Sequence, residues 1–391
     1  MPKRIIYHIG DISRPGGMER IIVLKANWLA EHGYQVTMLS MSSLVESFFP
    51  LSSKVKMEAL DVFQGSVYDE KRNLWGALKS VYYSIRSRID HKRKVEKYLE
   101  SHSCDYFITL VNRGFIPKLK DGSKKYFEIH FSSQAKIEFH QLNSFFYNLV
   151  YDLGMYYQER ICRRYDKFIV LTEKDRLMRG NIPNMIVIPN FITIESSDSM
   201  PVAESRKVIA VGRLSIEKGF DYLFQAWAMV SSKYPDWSLE IYGYGYGREE
   251  YYNELIQKNG VEESVKICAP VKDIRNKYLD SAFYVMSSRY EGFPLTLGEA
   301  MSCGLPCVSY NCNCGPSEII RHSEDGILVD EVGDIKGLSD AMLYLIEHPK
   351  KRVEMGEKAK ENIKRFSIDH VMKMLHLPVE VSGKCQCQQR C

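Results

Sequence analysis

Short apolar runs alternate along the chain with longer segments in which apolar residues recur every three or four positions. Apolar runs of four to six residues, bounded by turn-forming or polar residues, are typical of buried strands. The sequence therefore predicts strands at residues 5–9, 36–39, 105–110, 124–129, 167–171, 186–189, 208–211, 239–242, 265–268, 282–286 and 306–309.

Helical spacing separates most of these strands. In the first helical segment Ile22, Ala26 and Leu29 lie on one apolar face, and Gly33 ends the helix. The same periodicity predicts helices at residues 18–31, 73–100, 144–164, 220–230, 273–280, 334–347 and 350–365. Strands that alternate with helices in this way are typical of α/β folds with parallel sheets.

The length of 391 residues favours two domains. Residues 193–206 are polar and rich in turn-forming residues, so they are the best candidate for a linker. This places the first domain at residues 1–192 and the second at residues 207–365. We expect the cysteine-containing residues 379–391 to form a flexible tail.

Composition narrows the class of protein. With 45% hydrophobic and 26% charged residues the chain is of ordinary globular type. The first residues run directly into a strand, and we find no signal peptide and no apolar stretch of spanning length, so a cytoplasmic setting is expected. In the absence of a secretion signal we interpret the ten cysteines as reduced thiols, and because they lack paired CxxC spacing we expect no metal site.

Charge is distributed unevenly along the chain. Residues 1–195 carry a net charge of +8, and residues 196–391 carry −4. A basic first half suits an anionic partner, such as a membrane surface or a phosphorylated acceptor. We expect no nucleic-acid partner.

Two carboxylates mark the segment that carries the chemistry. Glu291 and Glu299 lie eight positions apart between the strands at 282–286 and 306–309. Pro294 suits the first turn of a helix that includes Glu299, so Glu291 falls on the preceding loop. That loop follows the carboxyl end of a strand, which is where open α/β sheets bind ligands.

Glycine-rich turns follow several strands. Gly16 and Gly17 precede the first helix, where close-approaching backbone N–H groups suit phosphate or a sugar. Gly212 and Gly243 mark further turns of this kind in the second half. Arg213 and Lys218, five positions apart on one loop, are spaced to bind one diphosphate, with a solvated surface pair as the alternative.

These blocks together resemble the family 4 retaining glycosyltransferases, whose mark is Glu-x7-Glu. The resemblance covers roughly residues 3–370 and includes, in family order, the blocks at residues 16–20, 212–219, 291–299 and 315–320. It implies the GT-B fold, an α/β architecture of two Rossmann-like domains that face each other across a cleft. It also implies that residues 366–378 form a helix that crosses back to the first domain.

The resemblance implies roles for individual residues. The expected catalytic residues are Glu291, His130, Arg213 and Lys218. The expected donor-binding residues are Gly16, Gly17, Gly212, Arg213, Lys218, Gly243, Val271, Glu291, Gly292, Phe293, Pro294, Leu295 and Glu299. Glu299 would bind the ribose, and Glu291 would either hold a sugar hydroxyl or act as a nucleophile. Neither a cofactor nor a metal is implied.

The implied activity is transfer of a hexose or N-acetylhexosamine from a nucleotide-sugar, with UDP as the expected nucleotide. The expected acceptor is a growing, lipid-diphosphate-linked glycan in bacterial surface polysaccharide assembly. A soluble sugar or sugar phosphate is the alternative acceptor. A nucleotide-sugar epimerase and an inactive binding protein are alternatives of other classes, which the Glu-x7-Glu block disfavours.

A basic helical segment lies in the first half. Residues 71–97 hold nine Lys and Arg against two acidic residues, and Trp75, Leu78, Tyr82, Ile85 and Ile89 recur within it at helical spacing. Basic amphipathic helices of this composition bind anionic membrane surfaces. The segment predicts contact with the inner face of the cell membrane, unless its apolar face packs on the sheet.

Overall fold

The protein is described from a computed structural model. It covers residues 2–13, 16–43, 46–63, 74–131, 157–180, 182–194, 199–245 and 247–377. Of residues 74–78, 80 and 81 it describes the backbone alone.

Two separate parallel sheets organise the chain. The first sheet has seven strands in the order β3-β2-β1-β4-β5-β6-β7, and the second has six strands in the order β10-β9-β8-β11-β12-β13. The strands of the first are β1 Arg4–Ile9, β2 Gln35–Ser40, β3 Val55–Ala59, β4 Tyr106–Thr109, β5 Lys124–Glu128, β6 Lys167–Val170 and β7 Met185–Val187. Those of the second are β8 Lys207–Val211, β9 Ser238–Tyr242, β10 Val265–Cys268, β11 Phe283–Met286, β12 Cys307–Tyr310 and β13 Gly326–Val329.

Helices connect successive strands. The helices whose bounds the structure describes are α1 Gly17–Glu31, α2 Leu74–Ser101, α3 Glu173–Met178, α4 Phe220–Lys233, α5 Glu249–Lys258, α6 Arg275–Leu279, α7 Leu295–Ser302, α8 Pro316–Ile319, α9 Ile335–Glu347, α10 Pro349–Asn362 and α11 Ile368–Lys373. Residues 157–162 are helical as well. Because every strand pair is parallel, the chain must cross over between strands, and the crossovers place helices on the sheet faces.

Burial explains which strands the apolar pattern identified. In β1 all residues from Ile5 to Ile9 are buried, so the strand reads as a continuous apolar run. In the edge strand β3 only Val55 is buried, and the remaining positions are partly exposed. The sequence analysis therefore missed β3, and it missed β13 and helix α5 as well.

Several expected boundaries need adjustment. Helix α7 begins at Leu295, and Pro294 precedes it with an extended backbone (ψ 97°), so Pro294 is the N-cap and not a first-turn residue. The helix expected at 350–365 ends at Asn362 and continues as the 3-10 helix Ile363–Phe366. Of the helix expected at 144–164, residues 157–162 are helical, and residues 144–156 lie outside the described residues.

The end of the chain returns to the first sheet. Phe366 accepts a hydrogen bond from the backbone N–H of Ile192, and helix α11 follows. Val371 and Met372 of α11 are buried in the hydrophobic core around β1 and α1, and Trp28 of α1 donates to Asp369 at 2.7 Å. The expected crossing back is thus observed, although α11 is only six residues long and residues 379–391 lie outside the described residues.

Candidate active site

The carboxyl edges of the two sheets face each other. A β-carbon on Gly17, at the start of α1, would lie 3.2 Å from the side chain of Leu295. A β-carbon on Gly292 would lie 2.7 Å from the carbonyl oxygen of His130, which follows β5. We call the region bounded by Gly17 and His130 on one side, and by Gly292 and Leu295 on the other, the cleft. It brings the Glu-x7-Glu block against loops of the first sheet.

Glu291 lies on the loop after β11 and is held by two donors. Its Oε1 accepts from Nζ of Lys218 at 2.7 Å and from Oγ of Ser288 at 2.6 Å. Ser287 in turn donates to the backbone carbonyl of Lys218 at 2.9 Å. The Lys218 loop and the Glu291 loop are therefore joined by side-chain and backbone contacts.

Glu299 lies on α7 and is bound by residues from outside the second sheet. Its Oε1 accepts from Nη1 of Arg20 at 3.0 Å and from the hydroxyl of Thr193. Burial raises the pKa of Glu299, while the Arg20 charge acts in the opposite direction. Arg20 and Thr193 both donate to Oε1, and a hydrogen bond from Tyr278 also lowers the pKa of Glu299.

The side chains of Arg213 and Lys218 bind different carboxylates. The Arg213 side chain is 64% exposed and pairs with Glu217 at 3.1 Å, whereas Lys218 is partly buried against Glu291. The two cations share a loop after β8, but their charges are compensated by different carboxylates. The expected diphosphate clamp would require Arg213 to leave Glu217.

Glycines let the loops at this edge approach closely. A β-carbon on Gly243 would lie 1.8 Å from the carbonyl oxygen of Gly212, and one on Gly219 would lie 2.1 Å from that of Ser287. Gly219 also has a φ of +61°, a conformation that favours glycine. A β-carbon on Gly16, by contrast, would meet only Glu19 of its own helix.

The remaining candidates have different surroundings. Phe293 is buried and packs edge-on against Phe366 with ring centroids 5.3 Å apart, so its side chain belongs to the core. Pro294 packs on Gly315, where a β-carbon would lie 2.3 Å from the proline ring. Val271 is partly exposed on the loop after β10, three strands away from β11.

His130 lies above a buried ion pair. Lys25 of α1 donates to Oε1 of Glu128, and neither side chain is exposed to solvent. Nε2 of His130 lies 3.0 Å from the same oxygen, although not in a direction that makes a hydrogen bond. Burial alone would raise the pKa of Glu128, but Lys25 and His130 lower it to about 2.

Further contacts join the two sheets beyond the Glu pair. Glu318 on α8 accepts from the backbone N–H of Lys174 at 3.0 Å, and Nζ of Lys174 donates to Asn311 at 3.2 Å. Helix α8 has only four residues, so it contributes little helix dipole. The carboxylate of Glu318 instead joins α8 to helix α3, which lies beside the first sheet.

Sequence analysis missed five residues that support the site: Arg20, Lys25, Glu128, Thr193 and Ser288. Lys25 carried a signal, since a lysine within the apolar face of α1 requires a buried partner. Arg20 stood in a recognised block, but nothing in the sequence indicated that it binds Glu299. Such pairings depend on how the sheets face each other, which a sequence pattern does not contain.

Across the described ranges no group of three or more His, Cys, Asp or Glu residues is arranged to hold a metal ion. The described helices include none with the length and apolar character to cross a membrane.

Comparison with other sequences gives consistent matches. Residues 193–362 match the family model described as glycosyl transferases group 1. The chain is 29% identical over 378 residues to an uncharacterized glycosyltransferase of Haemophilus influenzae, covering 95% of this chain and 98% of that protein. It is 27% identical over 336 residues to the amylovoran biosynthesis glycosyltransferase AmsD of Erwinia amylovora, covering 84% and 86%. The poly(ribitol-phosphate) alpha-N-acetylglucosaminyltransferase of Staphylococcus aureus is 27% identical over 209 residues, covering 52% and 42%.

Solved structures share the architecture. A crystal structure of TarM superimposes with a TM-score of 0.74 at 16% identity, covering 96% of this chain and 98% of TarM. A variant of S. aureus TarM in complex with fondaparinux, alpha-GlcNAc-glycerol and UDP gives a TM-score of 0.73 at 16% identity, covering 96% and 99%. At this identity the likeness establishes the fold.

The fold and the matched sequences define a glycosyltransferase of the GT-B class. Within that class, residues 193–362 match the glycosyl transferases group 1 model, which confirms the resemblance at that level, while membership of family 4 stays a prediction.

The buried pair under His130 generates a stability prediction. Glu128→Gln leaves the Lys25 ammonium buried without its charge partner, and Lys25→Met leaves the Glu128 carboxylate buried without its partner. Each variant should therefore lower the free energy of unfolding by about 3–5 kcal/mol. The double variant should recover most of this loss. Urea unfolding measures all three, with the exposed pair Lys336 and Asp340 as control, where Asp340→Asn should leave the midpoint unchanged.

Acid titration gives a second readout of the same pair. Because the pKa of Glu128 lies below its ordinary value, its ionised form stabilises the fold at neutral pH. That contribution is lost as the pH falls through the ordinary carboxyl range toward about 2, and the double variant should lack this loss. If the losses in unfolding free energy of Lys25→Met and Glu128→Gln simply added in the double variant, the pairing of the two residues would be contradicted.

Proposed function

We propose that the chain is a family 4 retaining transferase that moves a hexose or N-acetylhexosamine from a UDP-sugar onto a growing glycan. The observation that carries the proposal is the joined pair of Lys218 and Glu291 at the cleft, with Glu299 on the following helix. A cation and two carboxylates with distinct environments suit the three parts of a nucleotide-sugar: diphosphate, sugar and ribose.

The leaving diphosphate needs positive charge that strengthens as the bond breaks. Lys218 has three N–H donors, of which Glu291 takes one, so the remaining donors are free to bind diphosphate oxygens. Arg213 pairs only with Glu217 at an exposed position, where ion pairs contribute little. It can therefore turn to a diphosphate at small cost.

The two carboxylates have separate roles in this proposal. Oε2 of Glu299 would accept from the ribose hydroxyls, while Arg20 and Thr193 keep Oε1 in place. Glu291 is fixed by Lys218 and Ser288, and would hold a sugar hydroxyl next to the reacting carbon. A fixed carboxylate orients the sugar, and orientation lowers the barrier to transfer. His130 would contact the sugar or the acceptor hydroxyl from the opposite edge.

The relatives support the choice of substrates. One acts in amylovoran biosynthesis, and another is named as an alpha-N-acetylglucosaminyltransferase of poly(ribitol-phosphate). A TarM variant of the same fold was crystallised with UDP. By analogy we assign a UDP-sugar as donor and a surface polysaccharide, carried on a lipid diphosphate, as acceptor. The family match and the relatives' names favour transfer over the epimerase alternative.

The activity is tested with a panel of UDP- and GDP-sugars. We expect release of UDP that depends on added glycan acceptor, a product that keeps the donor's α configuration by NMR, and activity that persists in EDTA. Conversion of a UDP-sugar to its epimer without UDP release would assign the chain to the epimerase class. A β-linked product would contradict the retaining mechanism.

The division of roles between the carboxylates is tested by titration with UDP. Glu299→Gln should weaken UDP binding about tenfold, because it removes a charged acceptor of hydrogen bonds from the ribose. Glu291→Gln should leave UDP affinity within about twofold but lower kcat by about 10²-fold or more. Glu324→Gln, at an exposed site, is the control. Equal affinity losses in both variants would show that the roles are wrongly assigned.

Helix α2 supports contact with a membrane. Tyr82, Ile85 and Ile89 are 56%, 55% and 64% exposed, so these three apolar side chains do not pack on the sheet, whereas Val95 and Leu99 further along the same helix are buried. These side chains and Arg86 line a groove of about 910 Å³ between α2 and the loops after β2 and β3. The side chains of Trp75 and Leu78 lie outside the described residues. We therefore propose that this face of α2 docks on the anionic inner face of the cell membrane.

Membrane docking is tested by co-sedimentation with phosphatidylglycerol vesicles. Replacing Tyr82, Ile85 and Ile89 together by Ser should reduce binding about tenfold or more, since their apolar surface would no longer enter the interface. Replacing Arg86, Lys92 and Arg93 by Gln should weaken binding mainly at low salt. Ile216→Ser with Val353→Ser, at exposed positions of the second half, is the matched control. Equal binding by all variants would favour a soluble acceptor.

A further inference from the structure

Arg113 lies at the carboxyl edge of the first sheet, and its side chain has no partner among the described residues. It follows β4, which lies between β1 and β5, so it is placed on the same edge as His130. Its Nε is buried, and within the described residues its guanidinium takes part in no hydrogen bond or ion pair. A buried unpaired donor on a charged group costs free energy unless a ligand supplies the acceptor.

Four other partly buried or buried arginines among the described residues have acceptors. Arg289 binds Asp221 through two nitrogens, and Arg179 donates to Asp175 at 2.7 Å. Arg352 and Arg365 donate to backbone carbonyls. Unlike these four arginines, Arg113 has no acceptor within the described residues, and a ligand can supply one.

A second unpartnered atom lies on the neighbouring helix. His91 of α2 is fully buried, and its Nδ1 has no hydrogen-bond partner in the described part of the chain, while its Nε2 lies 2.9 Å from Nε2 of His8. Burial, and then the charge of Arg113, lower the pKa of His91 to about 4, so the ring is neutral near pH 7. The His91 ring packs edge-on against Phe115, two residues after Arg113, with ring centroids 5.1 Å apart, so the loop that carries Arg113 lies against this helix.

A series of hydrogen bonds through His8 and Thr109 sets which ring nitrogen of His91 carries the proton. Nδ1 of His8 lies 2.9 Å from Oγ1 of Thr109, and that oxygen accepts from the N–H of Val111. If Thr109 donates to His8, then His8 donates through Nε2 to His91, and His91 carries its proton on Nδ1. In this arrangement Nδ1 becomes a donor beside Arg113. If Thr109 instead donates to the carbonyl of Val111 at 3.1 Å, the chain reverses and Nδ1 becomes an acceptor.

Arg88 adds a second positive charge. It is exposed on α2 one turn before His91, and in the described part of the chain it forms no ion pair. After burial, its charge is the other cause that lowers the pKa of Arg113, so the two cations act on each other. Asp90, whose charge acts on the pKa of His91 in the opposite direction, pairs with Arg93 and Lys94, so Arg88 and Arg113 leave an excess of positive charge in this region.

We propose that Arg113, Arg88 and Nδ1 of His91 form a binding site for one phosphate group of the acceptor. The planar fork of Arg113 matches two phosphate oxygens, Arg88 supplies a further charge, and His91 donates to a third oxygen. The site is separate from the donor loops of the second sheet. The inference rests on the proposed function, because it assigns the acceptor to this edge of the cleft.

Calorimetric titration with sn-glycerol 3-phosphate tests the site, using the full chain saturated with UDP so that the donor loops are occupied. We expect binding by the unmodified protein, and affinity at least tenfold lower in Arg113→Gln and in Arg88→Gln. Arg163→Gln is the control, since Arg163 is exposed and pairs with Glu159 at 3.0 Å. Arg113→Lys keeps the charge but loses the fork, so it should also bind weakly.

Nitrogen-15 NMR of the imidazoles reports which nitrogen of His91 is protonated, and a loss of stability in a variant would not by itself change this signal. Addition of glycerol 3-phosphate should shift the His91 resonances to the form protonated on Nδ1. No binding by the unmodified protein, or equal affinity in Arg113→Gln, Arg88→Gln and the control, would overturn the proposal. The UDP titration in the absence of phosphate tests the proposed function separately, so the two failures are distinguishable.

Phosphatidylglycerol vesicles distinguish the source of the phosphate. If Arg113→Gln loses binding to glycerol 3-phosphate but keeps vesicle binding, the site holds a phosphate of the acceptor itself. If Arg113→Gln loses vesicle binding and glycerol 3-phosphate does not bind, the phosphate belongs to a lipid headgroup and the assignment to the acceptor is wrong.

Discussion

The site depends on compensating buried carboxylates at the junction of two sheets. Glu299 comes from the second sheet's side, but its hydrogen bonds come from Arg20 at the start of α1 and from Thr193 between the sheets. A carboxylate in such a place is stable only when donors surround it. The geometry of the Glu-x7-Glu block therefore requires the first sheet to be in position.

The same requirement appears on the other side of the cleft. Glu128 at the end of β5 is buried with Lys25, and His130 rests against that pair. The carbonyl of His130 in turn touches Gly292 of the Glu block. One series of contacts thus runs from the core of the first sheet to the loop that carries Glu291, so the candidate catalytic residues are supported from both sides.

Local patterns predicted most of the fold because parallel strands with both faces covered are almost wholly apolar, as in β1. They failed for β3, whose position at an edge leaves its residues partly exposed. For the site, the loops and the Glu pair were recognisable from spacing and family resemblance. The partners of those residues, such as Arg20 for Glu299, were not, since they lie far apart in the chain and meet only through the arrangement of the two sheets.

The chain passes between the two sheets twice, near Ile192 and near Phe366, and a backbone hydrogen bond of 2.9 Å joins these two points. Two tethers that are side by side and bonded to each other leave one easy mode of relative movement, a rotation about the line of the tethers. Sliding and twisting would stretch that bond. The carboxyl edges can then separate and return to the same register, so that opening for product release does not lose the alignment between Arg20 and Glu299.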